Sequence, residues 1–279
     1  MKKIGFIDYY LDEWHANNYP ELIEKLSGGE YKVCYAYGEI ASPVTGMTNE
    51  EWSKKYNIEL LPTISEVVEK SDYLIVLSPN NPEKHEELCE LPLKSGKLTY
   101  IDKTFAPDKA TSIRIFETAD KFGTKCYSSS ALRFCTEWKE IEKDKISKIY
   151  SEGPGKYEVY AIHQIEPIVM LMESRAKRVM FLGDETHPEM IIEFADGRFA
   201  HMYHRIDPEY SFKMTIADDE NNAKIYQIKS DYFELFVKAL VEFFDTGICP
   251  VSHEQTIDVM GILEAANKAI KEPFTWVMV

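Results

Sequence analysis

Apolar runs and amphipathic segments alternate along residues 1–125. Four of the apolar runs are short, are rich in β-branched or aromatic residues, and are typical of buried strands; they cover residues 3–7, 31–37, 72–78 and 97–102. Segments with helical periodicity separate them. Alternation of this kind predicts a parallel sheet whose strands are joined by helical crossovers. The pattern therefore predicts an α/β domain over residues 1–125.

Local signals place several helix ends in this half. Thr63 and Glu66 have the spacing of a capping box, which predicts a helix over 63–70. Gly123 follows an amphipathic segment over 107–122 and is expected to end that helix in a left-handed conformation.

Two prolines also carry positional information. Asn81-Pro82 resembles an N-cap followed by proline at the first helical position, and predicts a helix that continues to about Leu91. Residues 15–26 are helical in pattern but contain Pro20, which predicts an early turn or a late helix start.

The pattern changes after Phe134. Residues 136–149 are charged and predict a helix, and residues 156–172 hold apolar positions at helical spacing. Five strand-like runs follow at 177–182, 189–194, 198–204, 212–217 and 223–228. Asp196-Gly197 is a strong hairpin signal. Helices are expected over 231–245 and again from Ser252, where Gln255 completes a capping-box spacing.

Successive strands joined by turns indicate a different architecture from the first half. We expect a second α/β domain over 126–279 with a large, mostly antiparallel open sheet, and a boundary near 123–135. Helices follow the strands on one side only, so one sheet face is expected to be uncovered. Residues of the class of Met180, Met190, Phe194 and Tyr203 on that face predict a twofold homodimer.

Composition narrows the possible partners. The 279 residues carry a formal net charge of -15, which disfavours nucleic acid as a partner. The first apolar run is broken by Asp8, whereas a secretory signal needs roughly 7–15 apolar residues. No run approaches the ~20 apolar residues of a membrane span, so a cytoplasmic location is expected. The five cysteines form no CxxC pair, which disfavours disulfides and thiolate zinc sites.

Two long strings carry a resemblance to a known family. SDYLIVLSPNNPEKHEELCELPLKSGKLTYIDKTFAPD and VKALVEFFDTGICPVSHEQTIDVMGILEAANKAI resemble segments of the Gfo/Idh/MocA oxidoreductases, and His15 and Tyr19 resemble that family's first-helix pattern. The resemblance covers about residues 3 to 275. It implies a Rossmann-like dinucleotide-binding domain followed by the family's C-terminal domain, and a reaction that moves a hydride between NAD or NADP and a hydroxyl-bearing carbon of a sugar, polyol or similar small molecule.

The resemblance also implies cofactor-binding positions. They are Asp8, Tyr10, Glu39, Ser78, Asn80 and Lys103. The turn after the first strand departs from the glycine-rich phosphate loop, because residues 7–15 contain no glycine and include Asp8, Asp12 and Glu13. Backbone N–H groups at such a turn normally approach the pyrophosphate. We therefore expect that this turn does not hold a pyrophosphate in the family's manner.

Lys103 and His163 are the candidate catalytic residues. Lys103 matches the lysine of the family's EKP motif, here Asp102-Lys103-Thr104, and can polarise a hydroxyl and assist proton transfer. His163 matches the family's proton-shuttling histidine, although Val159 replaces the acid four residues earlier. Arg133 and Tyr160, together with His163, are the candidate substrate-binding residues. Lys103 and His163 are expected to face one pocket.

Two alternatives remain open from the sequence. The missing glycines are compatible with a non-enzymatic relative that binds a small molecule and has lost conventional dinucleotide binding. A metal site could form if Asp8, Asp12, Glu13 and His15 converged with His163, but no spacing enforces it, and no metal is assigned.

Overall fold

The computed structural model describes residues 1–184, 186–205, 207, 210–220 and 222–279. Within them the chain forms two compact units. The first comprises Met1–Ser129 with Glu234–His253, and the second comprises Ser130–Phe233 with Glu254–Val279. Residues 234–253, which the sequence places in a contiguous second domain, thus group with the first unit. No helix of the described residues is both long enough and apolar enough to cross a bilayer.

A six-stranded parallel sheet forms the first unit. Its strand order is β3-β2-β1-β4-β5-β6, with every neighbouring pair parallel. The strands are β1 (Lys2–Asp8), β2 (Tyr31–Gly38), β3 (Glu59–Leu60), β4 (Tyr73–Val76), β5 (Thr99–Ile101) and β6 (Cys126–Tyr127). The predicted Rossmann-like arrangement is confirmed. All six carboxyl ends therefore lie at one edge, where sheets of this type bind ligands.

Five helices connect these strands. They are α1 (Trp14–Leu26), α2 (Asn49–Tyr56), α3 (Ile64–Lys70), α4 (His85–Lys94) and α5 (Lys109–Phe122). Thr63 caps α3 by accepting from the Glu66 N–H at 3.2 Å, and Gly123 ends α5 with φ 66. Both local signals are confirmed. The hydrophobic pattern does not indicate α2, because this short helix buries only Trp52.

The two proline predictions are wrong in detail. Pro20 lies inside a continuous α1, where the helix tolerates the loss of one backbone donor. Asn81 makes no side-chain cap, and Pro82–Lys84 form a 3₁₀ turn before α4 begins at His85. The helix α4 then runs through Pro92 and ends beyond the predicted Leu91.

A mixed seven-stranded sheet forms the second unit, in the order β12-β11-β7-β10-β9-β8-β13. Its strands are β7 (Ile146–Pro154), β8 (Ala176–Phe181), β9 (Glu189–Phe194), β10 (Phe199–Arg205), β11 (Lys213–Asp218), β12 (Ala223–Gln227) and β13 (Trp276–Met278). Only β7 and β10 pair in parallel among these described strands. The mostly antiparallel open sheet is therefore confirmed, and Asp196-Gly197 forms the turn between β9 and β10.

The predicted helix over 136–149 is wrong. Residues Thr136–Glu140 and Lys143–Lys145 form 3₁₀ turns, and Ile146 then begins the sheet strand β7. The charged residues before Ile146 occupy turns, and β7 buries alternate residues only from Ile149 to Gly153. Period-two burial in a segment with few apolar residues gives a weak sequence signal.

Three helices complete the fold: α6 (Tyr157–Met172), α7 (Tyr232–Thr246) and α8 (His253–Ala269). In the second unit α6 contacts β7 and β10, and Asp258 of α8 accepts from the Ala176 N–H at 2.8 Å. Most of α7 belongs to the first unit, where Phe236 packs on Tyr19 and Tyr100. Aromatic packing thus explains why residues 234–253 join the first unit.

The two faces of the second sheet differ in burial. Met190 and Phe194, expected on the uncovered face, are fully buried and face the core; this expectation is wrong for both. Met180 and Tyr203 are partly exposed and lie on the opposite face. Because strand side chains alternate with period two, a shift of one position along a strand exchanges core and surface.

Candidate active site

The predicted cofactor-binding residues of the first unit lie at the carboxyl edge of its sheet. Asp8 ends β1 and Glu39 follows β2. Ser78 and Asn80 follow β4, and Lys103 follows β5. Since the strands are parallel, the fold brings these positions to the same edge.

Several of these side chains are committed to local contacts. Asn80 donates to the Tyr10 hydroxyl at 3.1 Å, which links the β1 and β4 loops. Ser78 has φ 82 and donates to the Asn81 carbonyl at 3.1 Å. The Glu39 carboxylate pairs with the Lys84 ammonium at 2.8 Å. These contacts shape the edge, and Glu39 would have to leave Lys84 to accept from a ribose.

Glu13 closes the amino-terminal end of α1. Its Oε2 accepts from the His15 N–H at 2.8 Å, and its Oε1 accepts from the Ala16 N–H. The residue is only 7% exposed. Burial raises the pKa of Glu13, against the opposing effects of His15 and of the Ala16 N–H. The first-turn N–H groups that commonly bind anions therefore already hold a carboxylate of the same chain.

His15 joins this turn to the strand β5. Its Nδ1 contacts Oδ2 of Asp102, and the Tyr100 hydroxyl donates to the other oxygen of Asp102 at 3.0 Å. The His15 ring stacks on Tyr19 with centroids 5.0 Å apart. Burial opposes ionisation of Asp102, but His15 and Lys103 outweigh it and hold its pKa below the usual value. The Asp102 carboxylate is therefore charged at neutral pH and fixes the position of His15.

Asp8 is the least compensated acid of this edge. It is 0% exposed, its Oδ1 accepts from the Tyr10 N–H at 3.3 Å, and its Oδ2 has no hydrogen-bond partner among the described residues. Burial raises the pKa of Asp8 well above its usual value, and the nearby Glu13 and Asp102 carboxylates add to the effect. Burial therefore favours the protonated form of this carboxyl group.

Lys103 directly follows Asp102, helps to lower the pKa of that carboxyl group, and is 8% exposed. Asp8, Glu13, His15, Asp102 and Lys103 are hereafter called the acidic edge. It contains three carboxyl groups and two basic groups, and its acids are held in place by backbone N–H groups, His15 and Tyr100. A lysine in such a setting can donate to, or accept a proton from, a hydroxyl group brought to the end of β5.

The pyrophosphate of a dinucleotide does not fit the α1 turn as it stands. Glu13 occupies the N–H groups of His15 and Ala16 that would receive a phosphate oxygen. Two like unit charges 4 Å apart repel by about 4 kcal/mol at an effective dielectric constant of 20. The geometry agrees with the expectation that this turn does not hold a pyrophosphate in the usual way.

The second unit carries a separate polar group around α6. Ser130 and the Nδ1 of His163 lie 2.7 Å apart. Arg133 donates through Nε to Glu166 at 2.8 Å and through Nη1 to Gln255 at 2.7 Å. Arg133 and Glu166 are both buried. Ser130, Arg133, His163, Glu166 and Gln255 are hereafter called the α6 cluster, and its one buried acid is paired with its one buried guanidinium.

Tyr160 lies one turn before His163, with the two rings 5.6 Å apart. It packs over Gly155, where a Cβ would lie 2.6 Å from the Tyr160 ring and where φ is +89. Glycine is therefore required for this placement of the tyrosine. Val159 is exposed, so the position of the family's missing acid faces away from the buried part of α6.

Some of the predicted site residues contact one another in the structure, whereas the shared pocket of Lys103 and His163 remains a prediction. It unites Arg133 and Glu166 with Gln255, and it places Tyr160 beside His163. Lys103 and His163 belong to different units, and their facing one pocket remains a prediction. Within the described ranges no three His, Cys, Asp or Glu side chains form a metal-binding group.

Sequence reasoning did not find the capping role of Glu13, the His15–Asp102 contact, or Ser130 and Gln255. Glutamate is an uncommon N-cap, so the spacing of Glu13 and Ala16 gives no standard signal. The contact between His15 and Asp102 joins residues 87 positions apart and depends on the tertiary fold.

No protein-family model matches the sequence, and no curated protein matches it. Solved structures match it along nearly its whole length. The myo-inositol dehydrogenase from Lactobacillus casei, in complex with NAD(H) and myo-inositol, has a TM-score of 0.81 at 12% identity, covering 100% of this chain and 96% of that chain. The scyllo-inositol dehydrogenase from Lactobacillus casei, with bound NAD(H) and scyllo-inositol, has 0.79 at 14% identity, covering 99% and 98%.

A dehydrogenase named MviM from Clostridium difficile has a TM-score of 0.72 at 17% identity, covering 96% of this chain and 99% of that chain. Identity at this level establishes the fold alone. The chain therefore has the fold of these dehydrogenases, which is the fold that the resemblance to the Gfo/Idh/MocA oxidoreductases implies.

Proposed function

We propose that the chain is an oxidoreductase that transfers a hydride between NAD or NADP and a hydroxyl-bearing carbon of a sugar, polyol or similar small molecule. Residues 1–125 are the proposed dinucleotide-binding domain and residues 126–279 the proposed C-terminal domain. The observation that carries the proposal is the buried Lys103 at the carboxyl edge of a parallel sheet in a fold shared with dehydrogenases.

Lys103 and His163 have separate roles in this proposal. The Lys103 ammonium donates to the substrate hydroxyl and favours loss of its proton. His163, held by Ser130 at 2.7 Å, accepts that proton. Arg133 and Tyr160 orient the substrate, the first through a guanidinium fixed by Glu166 and the second through its exposed ring.

The structural relatives support the substrate class and the cofactor class. The two Lactobacillus casei enzymes were solved with NAD(H) and an inositol, which is a ring of hydroxyl-bearing carbons. We propose that Asp8, Tyr10, Glu39, Ser78, Asn80 and Lys103 contact the dinucleotide, because they share the carboxyl edge. For Glu39 this requires release from Lys84.

A second candidate function is favoured by one observation, the Glu13 carboxylate on the first turn of α1. In this candidate the chain binds a small molecule at the acidic edge without a dinucleotide and catalyses no hydride transfer. Asp8 also favours this candidate, because it adds a third acid to the edge. It is buried, and one of its oxygens is unpartnered in the described part of the chain.

Calorimetric titration of the folded chain with NADH and NADPH separates the two candidates. Micromolar binding of either supports the oxidoreductase, as does a rise in nicotinamide absorbance when inositols or sugar polyols are added to the chain together with oxidised NAD or NADP. Absence of binding for both dinucleotides on folded protein contradicts the oxidoreductase and supports the second candidate.

We also propose that the chain forms a homodimer through the open face of the second sheet. Strand registers align one row of side chains across all seven strands. The row runs through Ile225, Thr215, Tyr150, His201, Ile191, Met180 and Trp276. Five of its seven members are apolar or aromatic, namely Ile225, Tyr150, Ile191, Met180 and Trp276, and aromatic residues and methionine are enriched at protein interfaces.

Tyr150→Lys tests the dimer, because Tyr150 lies near the centre of this row and is 42% exposed. We expect the wild-type chain to sediment as a dimer at micromolar concentration and the variant to shift towards monomer, since a buried unpaired charge opposes association. Leu91→Lys, at an exposed position of α4, is the control and should leave the dimer intact. A wild-type monomer contradicts the proposal.

A further inference from the structure

The first turn of α1 contains an internal anion. The carboxylate of Glu13 accepts from two successive backbone N–H groups, His15 and Ala16. Helix N-termini bind phosphate and carboxylate ligands through these same groups, with the helix dipole favouring negative charge. The helix α1 has 13 residues and Glu13 as its N-cap, so this turn is a true helix N-terminus.

Glu13 is a fixed part of the structure. Asp12, its neighbour, accepts from Asn17 at 3.0 Å and from Thr45 at 2.6 Å, which fixes the turn that carries Glu13. The His15 Nδ1 lies 3.9 Å from the Glu13 Oε2, and Glu13 itself is 7% exposed. Its two oxygens are therefore held in front of the helix by backbone and side-chain groups together.

A typical cap would leave more of this turn available. Serine, threonine, aspartate and asparagine are the common caps, and each usually satisfies one donor with a short side chain. The longer glutamate satisfies two donors and places both of its carboxyl oxygens at the helix end. Asp8, with its Oδ2 unpartnered in the described residues, lies close enough to be affected by Glu13 and adds a second carboxyl group.

We propose that Glu13 determines which ligands the acidic edge accepts: its carboxylate holds the anion-binding position of α1 and excludes a pyrophosphate until it is displaced or removed. The proposal rests on the proposed function for its ligand, a dinucleotide. Phosphate-free hydroxyl compounds do not compete with Glu13. A phosphate-bearing ligand does, and the free energy of displacing Glu13 is subtracted from its affinity.

The test compares the wild-type chain with Glu13→Gly, which removes the carboxylate, and Glu13→Gln, which keeps the shape and removes the charge. Glu21→Gln, at an exposed position of the same helix, is the matched control. Each protein is titrated by calorimetry with NADH, NADPH and inorganic pyrophosphate, after circular dichroism confirms folding. Glu13→Gln keeps the test usable if loss of the cap unfolds Glu13→Gly.

We expect dinucleotide binding to tighten at least about tenfold in Glu13→Gly, equivalent to about 1.4 kcal/mol. Glu13→Gln should show a smaller gain and Glu21→Gln none. Equal dinucleotide affinity in wild type and both Glu13 variants overturns the inference and leaves the proposed function standing. Pyrophosphate binding gained only in the Glu13 variants, with no dinucleotide binding to any protein, supports the inference and contradicts the proposed function. No binding of any of the three ligands to any protein overturns both.

Discussion

The acidic edge of the first unit and the α6 cluster of the second unit satisfy their buried charges differently. In the α6 cluster one acid, Glu166, pairs with one guanidinium, Arg133, at 2.8 Å. In the acidic edge Asp102 contacts His15, whereas Asp8 and Glu13 accept from backbone N–H groups, and Asp8 keeps one oxygen unpartnered within the described chain.

The difference shows that the fold sets where a site lies, whereas particular residues set its charge. The parallel sheet and its crossovers fix where the acidic edge lies, because carboxyl ends of parallel strands meet there. The residues at that position then decide the ligand. Here the α1 turn supplies its own anion through Glu13, whereas the α6 cluster leaves His163 partly exposed beside a small hollow lined by Trp138 and Phe212.

The largest expected effect is on turnover. Lys103→Met removes the ammonium of the acidic edge, and we expect turnover to fall by about 10²–10⁴-fold, the usual contribution of a positioned acid or base. Steady-state kinetics with the substrate found for the wild-type chain measures it. Lys121→Met, at an exposed position of α5, should retain wild-type turnover. Full activity of Lys103→Met would remove Lys103 from the proposed mechanism.

The second expected effect is on the stability of the α6 cluster. Glu166→Gln leaves the Arg133 charge buried and uncompensated, and we expect the free energy of unfolding to fall by about 3–5 kcal/mol. Urea denaturation measures the loss. The exposed pair of Arg114 and Glu86 is the control, since Glu86→Gln should cost less than about 1 kcal/mol. Equal losses in the two variants would show that burial of the Arg133 pair has no special weight.

The sequence predicts the helix ends and the type of sheet better than it predicts individual strands and their faces. Local signals identified the Thr63 cap and the Gly123 helix end, and the alternation of strands and helices identified the parallel sheet. The predicted helix over 136–149 is wrong because the segment is rich in charge but has no helical periodicity. Its residues form 3₁₀ turns and the beginning of β7. The prediction that Met190 and Phe194 lie on the uncovered sheet face is wrong because the register of a strand decides which face a residue occupies.

The candidate site was predictable in outline but not in its contacts. The absence of glycine after β1 already indicated that a pyrophosphate would not be held there in the usual way. The identity of the group that replaces it depends on the backbone path of the turn, which brings Glu13 onto the His15 and Ala16 N–H groups. The His15–Asp102 contact likewise depends on α1 and β5 meeting in the folded chain.

The smallest expected effect concerns Asp8 and pH. Burial raises the pKa of Asp8, and a group with a raised folded-state pKa loses its stabilising contribution as pH rises through that value. Asp8→Asn cannot ionise, so its stability advantage over wild type should grow by up to about 1.4 kcal/mol per pH unit between the usual and the raised pKa.

Thermal unfolding from acid to mildly alkaline pH measures this difference, with Glu21→Gln as the control. A stability difference between Asp8→Asn and wild type that does not change with pH would show that Asp8 is not a buried titrating acid. A difference that grows with pH sharpens the contrast with the α6 cluster, where the buried Glu166 is paired with Arg133.

The most direct test of the central claim is a crystal structure of Glu13→Gly grown with NADH. If Glu13 holds the anion-binding position of α1, a pyrophosphate oxygen should accept from the His15 and Ala16 N–H groups that the carboxylate occupies in the wild-type chain. A dinucleotide bound with its phosphates away from α1, while those two N–H groups face solvent, would contradict the claim.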